Sequence, residues 1–231
     1  MRLRLPQERP ARPPTGYKIA YPVLSGDGAR TGFTGVSLGG GAPYGVLDDA
    51  RCVYGRRHRV PSRLCDCGFH CLHASAEARA LTCEGAHRRA VVLEVSVLGA
   101  YIRYEHGMRY ARQRVRGVRV GPCPCGRAAT RFADAGWGLP GWRVLAPDCG
   151  GCSLGRSGLT FAGFAERAGG PLTIVTEGGA TGGPPHADAD ADATTLAGLM
   201  AEAALLQARL DWFQGRLARL ADGGQAGTAD R

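Results

Sequence analysis

Two short cysteine pairs, Cys123-Pro-Cys125-Gly126 and Cys149-Gly-Gly-Cys152, flank the 23 residues 126–148. No other feature limits the fold as much. Thiolates bind zinc as a tetrahedral set of four, and two Cys pairs on facing turns can deliver that set. The interval Arg127 to Pro147 is long enough for two short strands that bring the turns together. The spacing therefore predicts a zinc-ribbon-like hairpin over residues 121–155, with Cys123, Cys125, Cys149 and Cys152 holding a structural zinc. Pro124 and Gly126 suit a tight knuckle, because Pro fixes φ and Gly frees the backbone to turn. The first pair has a single spacer residue, which leaves open a ligand supplied from elsewhere. Four thiolates fill the tetrahedron, so no catalytic position is expected at this metal.

Nine cysteines, an odd number, are clustered rather than scattered. The first residues, MRLRLPQERPARPP, carry no apolar stretch of the kind a secretory leader needs. No apolar run approaches the ~20 residues of a membrane-spanning helix. These features predict a reduced, cytoplasmic compartment and no membrane partner, where clustered cysteines bind metal more often than they pair.

A second cluster runs Cys65-Asp-Cys67-Gly-Phe-His-Cys71, with Cys52, His58 and Cys83 near it in sequence. Cys52, His58, Cys65 and Cys67 make a chemically sensible second ligand set. Buried cysteine as a small apolar residue is the plain alternative. A catalytic pair of Cys71 with His58 or His87 lacks a third, orienting group, and no catalytic residue is assigned. Gly39-Gly40-Gly41 lacks the Gly-Lys-Ser/Thr of a phosphate loop, which argues against a nucleotide site there.

Along the chain, residues 1–15 read as a disordered tail and 16–120 as an α+β domain made mainly of antiparallel strands. Tyr17 to Leu24 is strand-like, Ala74 to Cys83 reads as a short helix with Ser75 as cap, and Ala90 to Leu98 is a β-branched run fit for a central strand. Glu105-His106-Gly107 is a turn from which Met108 to Val120 returns antiparallel. Residues 156–193 are Gly-rich segment and linker, and 223–231 a second tail. Between them, within 194–222, Leu199, Ala203, Leu206, Leu210, Phe213, Leu217 and Leu220 step by alternating fours and threes. That heptad seam predicts an amphipathic helix, coiled-coil-like, that makes a homo-oligomer through residues 196–220.

The net charge is +9, and Lys18 is the only lysine among 29 Lys and Arg. Arginine forks suit phosphate. The returning strand carries Arg109, Arg112, Arg114, Arg116 and Arg119, interleaved with Tyr101, Tyr104 and Tyr110 nearby. Arg112, Arg114 and Arg116 share one face at period two, opposite Gln113, Val115 and Gly117. Such a surface can hold nucleic acid by charge and stacking. A solvated strand face in an Arg-rich chain is the simpler account.

Gly16-Tyr17-Lys18, then Leu64-Cys-Asp-Cys-Gly-Phe-His-Cys71, then Val92-Leu-Glu-Val95 ending in Gly99, resembles an uncharacterised domain of actinobacterial and phage proteins. The resemblance covers residues 16–105 and implies no activity. The Gly-Phe-His strand, helix and Val-x-Leu-Glu-Val strand are also similar to the split-sheet core of ADP-ribosyltransferase-like enzymes. That similarity implies an NAD site with Glu94 or Glu105, His58 and Tyr54 as counterparts. The sequence thus favours a zinc-binding interaction or adaptor protein, with nucleic acid as the leading ligand and an NAD-using enzyme as the competing class.

Overall fold

The computed structural model describes residues 12–36, 42–52, 54–55, 57–83, 85–152 and 157–177. The Gly39–Gly41 run, the linker beyond residue 177 and the heptad segment lie outside them. The described residues belong to one unit, 1–183. They form mainly antiparallel sheet with few helices, as the α+β reading expects.

The strands are β1 (Thr15–Ser25), β2 (Thr31–Gly35), β3 (Leu47–Asp49), β4 (Phe69–Leu72), β5 (Val91–Arg103), β6 (Gly107–Val120), β7 (Arg131–Leu139), β8 (Trp142–Asp148), β9 (Gly158–Thr160) and β10 (Thr173–Thr176). Helix α1 spans Ser75–Cys83 and α2 spans Phe161–Arg167. Ser75 opens α1 rather than capping it from outside. In α2, Thr160 is the cap, accepting the Gly163 amide on its hydroxyl.

β5, a β-branched run, and β6, which alternates arginines with buried residues, form the long central hairpin about a tight turn at residues 104–106. β1 pairs with β5 along one edge and with β4 along the other, while β4 also pairs with β6. The pairings β1–β5–β6–β4–β1 therefore close on themselves into a small ring. Close packing at glycine makes this closure feasible. A Cβ at Gly16 would overlap the Cys71 sulfur, and one at Gly107 would overlap the Cys71 carbonyl oxygen. Of the segments quoted for the resemblance, Gly16–Lys18 lies on β1, Phe69–Cys71 on β4 and Val92–Val95 on β5, while residues 64–68 precede β4.

Above the ring, β1 continues and pairs with β2 and β8. β8 carries β7 and β7 carries β9. The cysteine hairpin consequently shares hydrogen bonds with the main sheet. β10 adds to β6 in parallel.

Burial follows the strand period. Leu93, Val95 and Val97 of β5 join Val115, Val118 and Val120 of β6, with Phe33, Phe132 and Phe164, in one core. Ile19, Tyr21, Val23, Val92 and Val144 face the other side, where Ala78 of α1 covers them. Each large aliphatic or aromatic side chain buried there contributes about 1.5–3 kcal/mol.

Candidate metal centres and the arginine strand

The hairpin delivers the first cysteine set. β6 ends at Val120 and β8 at Asp148, so the antiparallel β7–β8 pairing returns Cys149 to the level of Cys123. The register pair Arg131↔Asp148 sits just inside the two knuckles. In the first knuckle the Gly126 amide donates to the Cys123 carbonyl and the Cys123 amide to Arg127, each at 2.8 Å. Gly126 and Gly150 both stand at φ +82°, a conformation that favours glycine. Asp148, almost fully buried, braces the second knuckle: its carboxylate accepts the Gly150 amide and the Arg131 Nε, both at 2.8 Å.

All four sulfurs lie within 4.8 Å of one another. Cys125 and Cys149 are 3.6 Å apart and Cys149 and Cys152 are 3.7 Å apart. A Zn–S length of ~2.3 Å in a tetrahedron requires edges of about 3.8 Å. The set could therefore hold a metal ion, with Cys123 buried and Cys125 and Cys152 exposed. The thiols are electrostatically mismatched without a cation. Backbone donation, chiefly from Gly151, lowers Cys149 to about 7. The sulfurs of Cys125 and Cys149 push Cys152 up to about 12, and burial raises Cys123. A divalent ion lets all four ionise together.

The second set is Cys52, His58, Cys65 and Cys67, whose ligand atoms also lie within 4.8 Å of one another. These residues come from the loop between β3 and β4. Cys52 and Cys65 sulfurs are 3.8 Å apart, and His58 Nε2 is 3.8 Å from the Cys67 sulfur. His58 Nδ1 lies 2.9 Å from the Arg59 carbonyl oxygen. A carbonyl only accepts, so Nδ1 carries the proton and Nε2 presents the lone pair a metal needs. The Arg59 carbonyl raises the imidazole, and burial raises the Cys67 thiol.

Arg109 holds this loop, and that corrects its expected role. It lies on β6 but is 5% exposed. Its guanidinium donates to the carbonyls of Cys65 and Ser62. Gly68, at φ +128°, allows the loop to pass close to the Arg109 side chain, where a Cβ would come within 2.9 Å of Cγ. Arg109 is thus a loop anchor and not part of a binding surface. Its parity gave the signal: it shares a face with Gln113 and Val115. Asp148 and Arg131, which sequence reasoning missed, flank a knuckle in the same supporting manner.

Arg112, Arg114, Arg116 and Arg119 are exposed. The pairing steps from Glu94↔Gly117 to Val95↔Val115, leaving Arg116 as the extra residue of a bulge. The bulge resets the alternation, so Arg119 becomes exposed although its parity matches the buried set. Arg112 lies 3.5 Å from Asp49 and Arg116 donates to the Ser96 hydroxyl. Arg114 and Arg119 have no ion pair or side-chain hydrogen bond among the described residues. Tyr104 is half exposed, but Tyr110 is fully buried and donates to Gln113, which removes it from any stacking role.

The residues suggested by the enzyme similarity fall in three parts of the fold. Glu94 pairs with Tyr17 and Gly117 inside the sheet, Glu105 projects from the β5–β6 turn, and Tyr54 and His58 belong to the β3–β4 loop. One cleft is lined by Leu24, Asp134, Arg143, Leu145, Ser157, Gly158 and Leu159, and an open groove of about 490 Å³ by Asp134, Gly136, Trp137, Arg143 and Ser157. Neither contains those four residues. No helix among the described residues is long and apolar enough to cross a membrane. No family model, curated protein or solved structure matches the chain.

Proposed function

We propose that this is a non-catalytic, zinc-stabilised protein that binds nucleic acid through the exposed arginines of β6. The carrying observation is the solvent-facing row Arg112, Arg114, Arg116 and Arg119 on a strand fixed by partners on both sides. Alternate residues of a strand are about 7 Å apart, so the row presents spaced cations to a flexible phosphate chain. Two closed Cys/His sets support the stabilising part. Thiolate and imidazole ligands at tetrahedral edge lengths suit zinc, and four protein donors leave no open position for catalysis. The heptad segment 196–220 is proposed to add self-association, which mass in solution at rising protein concentration reads.

Binding of a labelled single-stranded oligonucleotide, measured by anisotropy over a range of salt, tests the reading. The expected result is a falling log K with log salt, with a slope of about −0.7 per phosphate neutralised. Changing Arg112, Arg114 and Arg116 together to Glu abolishes binding and leaves the metal content and near-UV spectrum unchanged. Binding that survives the triple change, or shows no salt slope, overturns the proposal.

A further inference from the structure

Strand β7 leaves its pairing with β8 near its middle. The register passes from Asp134↔Leu145 to Gly138↔Arg143, so Ala135, Gly136 and Trp137 stand against Val144 alone. Two devices shape this bulge. Asp134 Oδ1 accepts the Gly136 amide at 2.8 Å, and Gly136 sits at φ +83°, where glycine is favoured. At the far end a Cβ on Gly138 would overlap the Trp142 carbonyl oxygen, so glycine lets the strand rejoin its partner. Trp is a highly buried residue on average, yet the bulge leaves Trp137 45% exposed. The indole is held all the same. Its ring meets that of Tyr21 with centres 5.2 Å apart at 83°, and the Tyr21 hydroxyl donates to the Ala86 carbonyl at 2.9 Å. A T-shaped contact leaves at least one indole face uncovered by Tyr21.

The open groove of about 490 Å³ is lined by Trp137 with Asp134, Gly136, Arg143 and Ser157. Asp134 and Arg143 stand 3.8 Å apart and offset each other's charge. A phosphate there would meet the carboxylate, and an aliphatic group would find few apolar walls. A flat, uncharged ring with donors and acceptors on its edge suits the set: the indole meets its face, Asp134 and Arg143 its edge. A nucleobase has that chemistry.

Cations border the groove and connect it to the row on β6. Arg30 lies over the Trp142 ring at 5.6 Å. Tyr21 alternates with Ile19 on β1, Ile19 pairs with Val92 of β5, and Val92 pairs with Arg119 of β6. Paired and alternate residues share a sheet face, so Trp137, resting on Tyr21, lies over the face that carries Arg119. Arg119 and Tyr21 are two strand spacings apart, about 10 Å, and offset by two residues, about 7 Å. The turn after α1, which reaches Tyr21 at Ala86, carries Arg88 and Arg89, both exposed. A strand of the ~4–16 nucleotides that single-strand binding folds hold covers that span.

Resting on the nucleic-acid reading above, we propose that the Trp137 groove stacks one base of a single strand whose phosphates follow the β6 arginines. The arginines supply charge, which any phosphate chain satisfies. Trp137 supplies the contact that requires a base.

The test measures, with the full chain, the anisotropy of two labelled oligomers of equal length: oligothymidylate and the same phosphodiester chain without bases. On oligothymidylate, Trp137→Ala is expected to weaken binding by about 5- to 150-fold, the range for losing one stacked base, with the salt slope unchanged. On the abasic chain the same variant is expected to bind as the wild type does, which also shows that its fold and its arginines are intact. Trp137→Phe, which keeps a π face, retains most of the affinity for oligothymidylate. Undiminished binding of oligothymidylate by Trp137→Ala, or an equal loss on both oligomers, overturns the proposal and leaves the arginine reading standing. A wild-type chain that binds neither oligomer overturns that reading, and the proposal with it.

Discussion

The cysteine set at residues 123–152 and the set at 52–67 present similar ligands by different means. In the first, the spacing is enforced by backbone: β7 and β8 pair residue by residue, and Gly126 and Gly150 turn the knuckles. In the second, the ligands ride on a loop whose fixed point is a side chain, Arg109, reaching from β6 to the Cys65 and Ser62 carbonyls. The backbone-built set keeps its geometry from local pairing. The loop-built set depends on a distant residue, and loss of that one residue should dismantle it while the other persists.

The largest effect expected is from Cys149→Ser. Structural zinc sites deliver roughly 10–16 kcal/mol of binding free energy in small domains, so loss of one ligand should cost of order 5 kcal/mol in the hairpin. Amide exchange should accelerate in β7 and β8, stay slow in β5 and β6, and one of two metals should be lost. Loss of both metals together would show that the sets are coupled, against the comparison.

Arg109→Met comes next. It leaves the buried Cys65 carbonyl and the part-buried Ser62 carbonyl without their charged donor, a cost of about 2–4 kcal/mol. The expected outcome is one metal retained at the hairpin and rapid alkylation of Cys65 and Cys67, with Cys123 protected. Equal exposure of both sets would remove the distinction.

The smallest effect is that of Gly150→Ala, which forces a side chain into φ +82° at about 1–2 kcal/mol. A chelator competition should show roughly tenfold weaker metal at the hairpin and no change at the loop.

Local signals made part of this legible in the sequence. The β-branched run of β5, the turn after Tyr104 and the return of β6 needed only nearest neighbours in the chain. So did the hairpin implied by Cys125 and Cys149. The ring closure was not legible, because β4 is four residues long and its partners on β1 and β6 are remote in sequence. Arg109 and Arg119 show the limit most clearly. Both break the parity of Arg112, Arg114 and Arg116; one is buried as that parity implies, and the other is exposed by a bulge at Arg116 that strand period alone does not announce. The second ligand set was nameable from residue types, but the arginine that holds its loop was read as surface.

Native mass spectrometry of the full chain expressed with zinc, alongside denatured mass and elemental analysis, tests the central claim most directly. The account predicts two zinc ions per chain, released on denaturation with all nine cysteines reduced. A chain that carries no metal, or whose Cys125 and Cys149 are found joined as a disulfide, would contradict it.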